Sequence, residues 1–260
     1  MELYAEVAGK GPAVALVHEG ICDSRMWDPQ WDSWSREFRL LRVDLRGFGH
    51  SPLEPGAFAH ARDLIAVLEE HGFDRAALVG VSLGGRVVLE VALARPELVS
   101  GLVLVAPGLP GHAWSDEVKN DWEDEEAALV AGDLDAAVEV NLRTWVDGPR
   151  RRPADVDHAL RKRVGEMQRR AFELQLAVEE DDEELLVEDM AQRLGEIQAP
   201  ALVIVGEEDQ PDMHAIAGRL ERELPNARRA TIPGTAHVPS MERPREFDEL
   251  VLPFLREAAA

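Results

Sequence analysis

The 260-residue sequence predicts an α/β protein, a doubly wound and mostly parallel sheet that carries a helical insertion. Three observations lead there. Short, continuous Val/Leu/Ala runs recur through residues 1–108 and 199–260, as expected of strands buried on both faces. Amphipathic helical stretches alternate with those runs, which is what right-handed crossovers between parallel strands require. Between 109 and 198 the alternation stops, and long helical stretches rich in Glu, Asp, Arg and Ala take over with no strand-like run before Pro200. The two flanking segments therefore read as one core, and 109–198 as the insertion.

In order, residues 12–18 (PAVALVH) and 39–44 (RLLRVD) read as buried strands. A helix is expected over 60–71, with Ala61, Leu64, Ile65 and Leu68 on one face and a stop at Gly72. Residues 76–81 (AALVGV) make a strand, 85–94 a helix closed by Arg95-Pro96, and 101–106 (GLVLVA) a strand. Past the insertion come a strand at 201–206 (ALVIVG), a helix over 214–224, a strand at 228–232 and a closing helix from 245 to about 257. The acidic run 179–184 (EEDDEE) reads as a solvated helix face or loop.

Composition narrows the function. A net charge of −22 repels phosphate backbones and anionic lipid, which argues against nucleic-acid or membrane binding. Residues 109–198 hold 24 acidic against 11 basic residues, so this third of the chain carries −13 of that charge. One cysteine, Cys22, precludes an intramolecular disulfide and a cysteine-based metal site. No long uncharged apolar stretch occurs, and MELYAEVAGKG lacks the basic and apolar regions of a signal peptide, so a cytoplasmic location is expected.

The sharpest signal is Gly80-Val81-Ser82-Leu83-Gly84-Gly85, a G-x-S-x-G elbow between a strand and a helix. Gly80 and Gly84 let strand and helix approach closely while Ser82 takes a strained conformation at the helix head. The backbone N–H of Leu83 is then free to donate to a developing oxyanion. A serine hydroxyl needs a base oriented by a third group. His237, in PGTAHVP after the last strand, is the histidine that a sheet delivers to its carboxyl edge, and the loop after ALVIVG offers Glu207, Glu208, Asp209 and Asp212 as acids.

In these motifs the chain resembles the α/β-hydrolase superfamily, in its lid-bearing esterase, enol-lactonase and haloperoxidase-like group. The resemblance rests on HEGICDSRMW, DLRGFGHS, GVSLGG, VGEEDQP and PGTAHVPSMERP and covers the chain apart from the insertion. It implies a triad of Ser82, Asp209 and His237, the acid being the aspartate three residues past the strand's final glycine. It implies a second oxyanion donor at Gly20, beside Leu83. It makes 109–198 a helical lid and DLRGFGHS a structural turn. The chain departs from the family in carrying Glu19 where glycine is usual. A carboxylate there opposes an oxyanion, so its side chain is expected to turn away, towards Arg25 or Arg46.

From the lid, Trp114, Trp122, Trp145, Met167 and Phe172 are candidates for an apolar underside facing Ser82. Glu19, Ile21, Trp122, Trp145, Phe172 and Val238 are the pocket residues expected. Arg150-Arg151-Arg152 reads as a solvated loop. The reaction implied is hydrolysis of a small, neutral and apolar carboxylic ester or lactone through an acyl-Ser82, with no metal or organic cofactor and a small-molecule substrate as partner, the oligomeric state left open. C–C bond hydrolysis, enol-lactone hydrolysis in aromatic catabolism, and a non-catalytic ligand receptor on the same fold are the alternatives.

Overall fold

In the computed structural model, which describes residues 3–178 and 181–258, the chain opens with β1 (Ala5–Ala8), β2 (Ala13–Val17), α1 (Asp28–Trp34), β3 (Arg39–Val43) and β4 (Gly56–Phe58). There follow α2 (His60–Glu70), β5 (Ala76–Val81), α3 (Leu83–Ala94) and β6 (Val99–Val105). The segment after β6 holds α4 (Asp116–Val130), α5 (Leu134–Asn141), a π-helical stretch (Leu142–Asp147), α6 (His158–Gln175), β7 (Asp181–Glu183) and α7 (Met190–Arg193). The chain ends with β8 (Ala201–Gly206), α8 (Pro211–Glu223), β9 (Ala227–Ile232), α9 (Pro239–Glu242) and α10 (Pro244–Ala258).

Seven strands form one sheet in the order β1-β3-β2-β5-β6-β8-β9, parallel throughout except that β1 runs antiparallel to β3. Every residue of β5 and β8 is buried, as their unbroken apolar sequences require. One face is covered by α2, α3 and α8 through Leu64, Leu68, Val87, Val91, Ile216 and Leu220. The other is covered by α1 and α10, where Phe247 stacks flat on Trp34 with ring centroids 6.2 Å apart. The sequence did not announce β1, whose AEVA is too short and too polar for a buried strand, because it is an edge strand recruited by its register on β3. The acidic run is likewise different from its expected form. Residues 181–183 pair in parallel with β4 as a two-stranded sheet, while 179 and 180 lie outside the described residues.

Much of the insertion's negative charge is structural. Asp133 and Asp157 cap α5 and α6, their carboxylates accepting from Ala136 N and from Ala159 N and Leu160 N, and Asp116 and Glu117 open α4. Acidic groups there satisfy orphan amides and the positive end of the helix dipole. The π-helical stretch is tied to the core by Gln210 Nε2 donating to Thr144 O (2.8 Å) and His237 N donating to Trp145 O (3.2 Å). Buried Glu90 of α3 accepts from Leu186 N (2.7 Å) and pairs with Arg86 (2.8 Å), which anchors the returning limb. Among the described residues no helix is long and apolar enough to cross a membrane.

The tightest packing lies where β5 meets α3. A Cβ on Gly80 would strike the Gly84 carbonyl, one on Gly84 the Val17 and His18 carbonyls, and one on Gly85 the Pro107 ring. Backbone atoms cannot swing aside as a side chain can. Gly84→Ala is therefore expected to cost on the order of 1–3 kcal/mol in urea unfolding, whereas Gly195→Ala, which meets only one atom at ordinary contact distance, stays within about 0.5 kcal/mol of the parent.

Candidate active site

Ser82 joins β5 to α3 with φ 48° and ψ −109°, in the left-handed region that costs a non-glycine residue stability. Its backbone is fixed on both sides. Ser82 N donates to Val105 O (2.9 Å), and Ser82 O accepts from Arg86 N and Gly108 N (both 3.0 Å). Leu83, the first residue of α3, has an N–H with no partner among the described residues, and the same is true of Gly20 N. A Cβ built on Gly20 would lie 3.9 Å from Leu83 Cβ, so the two residues with free amides are neighbours in space.

His18 aims one of them. Its Nε2 accepts from Leu45 N (2.9 Å), which leaves the ring proton on Nδ1 to be donated to Glu19 O (2.7 Å). Complete burial lowers the His18 pKa and keeps the ring neutral, as this pairing needs. A trans peptide is planar, so holding the Glu19 carbonyl towards His18 points the Gly20 N–H the opposite way. Sequence reading passed over His18 as a strand end. The signal available was its place directly before the oxyanion loop.

His237 and Asp209 come from the loops after β9 and β8, which approach closely because a Cβ on Gly206 would strike the Ala236 and Thr235 carbonyls. Both side chains are buried, and His237 Nδ1 lies 3.0 Å from Asp209 Oδ2. The neighbouring acids have other partners. Asp212 accepts from Ser115 N and Oγ and faces His112, Glu207 accepts from Gly234 N, and Glu208 pairs with Arg150. Trp145 packs on the imidazole with ring centroids 4.7 Å apart. Ser82 and His237 line one cavity, and their side chains share no hydrogen bond among the described residues.

Glu19 does not turn away. Arg25 is taken by Asp23 (2.6 Å) and Arg46 by Asp63 (2.9 Å), so neither is free to receive it. Its carboxyl is instead 1% exposed, with Oε1 accepting from Cys22 Sγ (3.1 Å) and Oε2 3.6 Å from His237 Nε2. Burial pushes Glu19 up to about 7, against the pull of His237 and Cys22, and Asp209 and Glu242 push the same way as burial. For His237, burial alone would lower the pKa, but Asp209, then Glu19 and Glu242, outweigh it and the net shift is upward. At 3.6 Å the Glu19 carboxyl and the imidazole share no hydrogen bond among the described residues, but each favours the charged form of the other.

The cavity over Ser82 is about 230 Å³ and is lined by Glu19, Gly20, Ile21, Phe48, Ser82, Glu125, Asn141, Trp145, Gln168, Phe172, Gln175 and His237. Glu19, Ile21, Trp145 and Phe172 are thus where the sequence suggested. Trp122 and Val238 are not. Trp122 is 39% exposed and stacks edge-to-face on Trp114, while Val238 is packed into the core at the start of α9, and Met167 is also core. The apolar underside expected of the insertion is in fact mixed, since Glu125, Asn141 and Gln168 face the cavity. Gln168 carried a readable signal: it falls in the stripe Val164, Met167, Ala171, Phe172 that α6 buries, where a polar residue is out of place. Arg150, Arg151 and Arg152 lie outside this lining; Arg151 instead clamps the His237 loop through Gly234 O and Glu242. A larger open groove, about 890 Å³, lies elsewhere, between Asp28, α6 and Met241.

Residues 13–244 match the family model described as alpha/beta hydrolase fold. The chain is 30% identical over 251 residues to a pimeloyl-[acyl-carrier protein] methyl ester esterase of Nitrosomonas europaea, covering 94% of this chain and 96% of the relative. It is 32% identical over 276 residues to a putative carbamate hydrolase of Variovorax paradoxus, covering 100% and 98%. A solved N-acyl homoserine lactone degrading enzyme superposes with a TM-score of 0.76 at 27% identity, covering 97% of this chain and 96% of that one.

The Glu19–His237 contact gives a signed expectation. Glu19→Gln removes a negative charge from beside Nε2, so the imidazole loses its proton at lower pH. The ascending limb of kcat/KM for a neutral ester is expected to move down by on the order of one pH unit, with Asp209 still holding Nδ1. An unmoved limb would show that Glu19 does not govern the base.

Proposed function

As the chain belongs to the alpha/beta hydrolase fold family, we propose that it is a serine hydrolase acting on small carboxylic esters or lactones through an acyl-enzyme on Ser82. One observation carries the proposal. A serine held at left-handed φ on a helix head opens into the same small cavity as a buried imidazole whose Nδ1 is held by a carboxylate.

The chemistry follows from those positions. Asp209 keeps the His237 proton on Nδ1, so Nε2 is the basic nitrogen. Substrate entry breaks the Glu19 contact, Nε2 takes the Ser82 proton, and Oγ attacks the acyl carbon. The oxyanion accepts from Gly20 N–H and Leu83 N–H, which no other group occupies. His237 then protonates the leaving alkoxide, and water repeats the sequence on the acyl-enzyme. Residues 109–198 act as the lid, supplying the cavity's outer wall.

Specificity is set by size and charge. The volume falls below the roughly 300–1,000 Å³ of pockets that take drug-sized ligands. No Lys or Arg lines it, while two carboxyls do, so carboxylate-bearing substrates are disfavoured. The relatives named as an ester, a carbamate and a lactone hydrolase agree with this reaction class. A single buried cysteine and a net charge of −22 suit a cytoplasmic enzyme.

With p-nitrophenyl esters of increasing acyl length, kcat/KM is expected to be highest for acetate or propionate and to fall for longer chains. Ser82→Ala and His237→Ala should each lose on the order of 10³-fold or more with the fold intact, and Asp209→Asn should fall far below Glu207→Gln. Near-parental turnover by Ser82→Ala would overturn the assignment.

A further inference from the structure

The outer wall of the cavity contains a side chain that the ester chemistry does not use. Gln168 is 4% exposed and lines the cavity, yet its Oε1 is buried without a hydrogen-bond partner, and its Nε2 makes no hydrogen bond among the described residues. A buried amide left unpaired destabilises the fold, and the apolar stripe of α6 around it would be better filled by leucine. The cavity's other amides do not relieve it. Asn141 turns its Nδ2 to Ala137 O (3.3 Å), and Gln175 turns its Nε2 to Gly47 O (3.3 Å).

Around Gln168 stand groups that accept. Glu125 reaches the cavity from α4, and the aliphatic and aromatic walls, Ile21, Phe48 and Phe172, offer no hydrogen bond. Burial raises the Glu125 pKa, opposed by a hydrogen bond from Asn141, so this carboxyl is partly desolvated and retains acceptor capacity for a further donor. An amide with both ends open, lining the same cavity as a partly desolvated carboxyl and with no cation among the described lining residues, is complementary to a neutral group that has an N–H and a carbonyl of its own. A cavity this small keeps any group that reaches Gln168 within a few bonds of the scissile carbonyl.

Resting on the serine-hydrolase reading above, we propose that Gln168 and Glu125 form a subsite for a substrate amide group, so that the preferred esters or lactones carry an N–H donor close to the bond that is cleaved. Gln168 Oε1 accepts from the substrate N–H, and Glu125 is a second acceptor for the same group. The donor sets specificity without entering the reaction, and proton transfer stays with His237.

The test compares two ester pairs in which a CH₂ replaces the N–H at equal size: methyl N-acetylglycinate against methyl levulinate for the acyl side, and 2-acetamidoethyl acetate against 4-oxopentyl acetate for the alcohol side. In the parent, kcat/KM is expected to favour the N–H member of at least one pair by roughly tenfold, the value of one good hydrogen bond in a dry site. In Gln168→Leu that ratio should fall towards one because the N–H member loses its advantage over the CH₂ member, with thermal stability equal or higher. Glu125→Gln should reduce the ratio in part. Equal rates for N–H and CH₂ members in both pairs, or a parental preference untouched by both substitutions, would overturn the subsite while leaving the hydrolase reading standing. No turnover of any of the four esters by the parent would instead count against the hydrolase reading, and the subsite with it.

Discussion

The site depends on one packing constraint, the approach of β5 to α3 across Gly80, Gly84 and Gly85. A Cβ on Gly80 would strike the backbone of Gly84 and Gly85, one on Gly84 the end of β2, and one on Gly85 Pro107 after β6, so the helix begins directly at the strand's end. Ser82 has nowhere to go but left-handed φ, and its backbone hydrogen bonds to Val105, Arg86 and Gly108 hold it there. That strain places the hydroxyl above the helix N-terminus and leaves Leu83 N–H unpaired. Gly84 also packs on the carbonyls of Val17 and His18, so the elbow and the loop that carries Gly20 are set against one another by the same contact.

Electrostatics then organise the base. His237 is surrounded by carboxyls, with Asp209 at Nδ1, Glu19 at Nε2 and Glu242 behind, the last neutralised in part by Arg151 at 2.7 Å. Asp209 faces Nδ1 at 3.0 Å, as the proposed triad requires. Glu19 is different, because the residue whose backbone is pinned by His18 to form the donor loop sends its own side chain back to the base. The carbonyl and the carboxyl of one residue thus bear on the two halves of the machinery, the donors and the proton acceptor.

What the sequence revealed follows from which interactions are local. Ser82 and its glycines are neighbours along the chain, and strands β5 and β8 are unbroken apolar runs, so both could be read directly. Among the four acids after β8 it was the family resemblance that pointed to Asp209, and the other three have partners elsewhere. The direction of Glu19 could not be read, since it depends on Asp23 and Asp63 having already claimed Arg25 and Arg46. Edge strand β1 and the β4–β7 pair exist through pairing with distant segments and have no pattern of their own. The aromatics of the insertion divided for a similar reason. Trp145 sits in the π-helical stretch that is bonded to the His237 loop, whereas Trp122 found Trp114 first.

The central claim is that Ser82 carries the acyl group. Rapid-quench mixing with p-nitrophenyl acetate, followed by proteolysis and mass spectrometry, reads this directly. The account predicts one acetyl group per chain on Ser82, formed in a burst with nitrophenol release and lost at the steady-state rate. Steady release of nitrophenol with no acetylated Ser82 at any time, or an acetyl group on another residue with turnover to match, would contradict it.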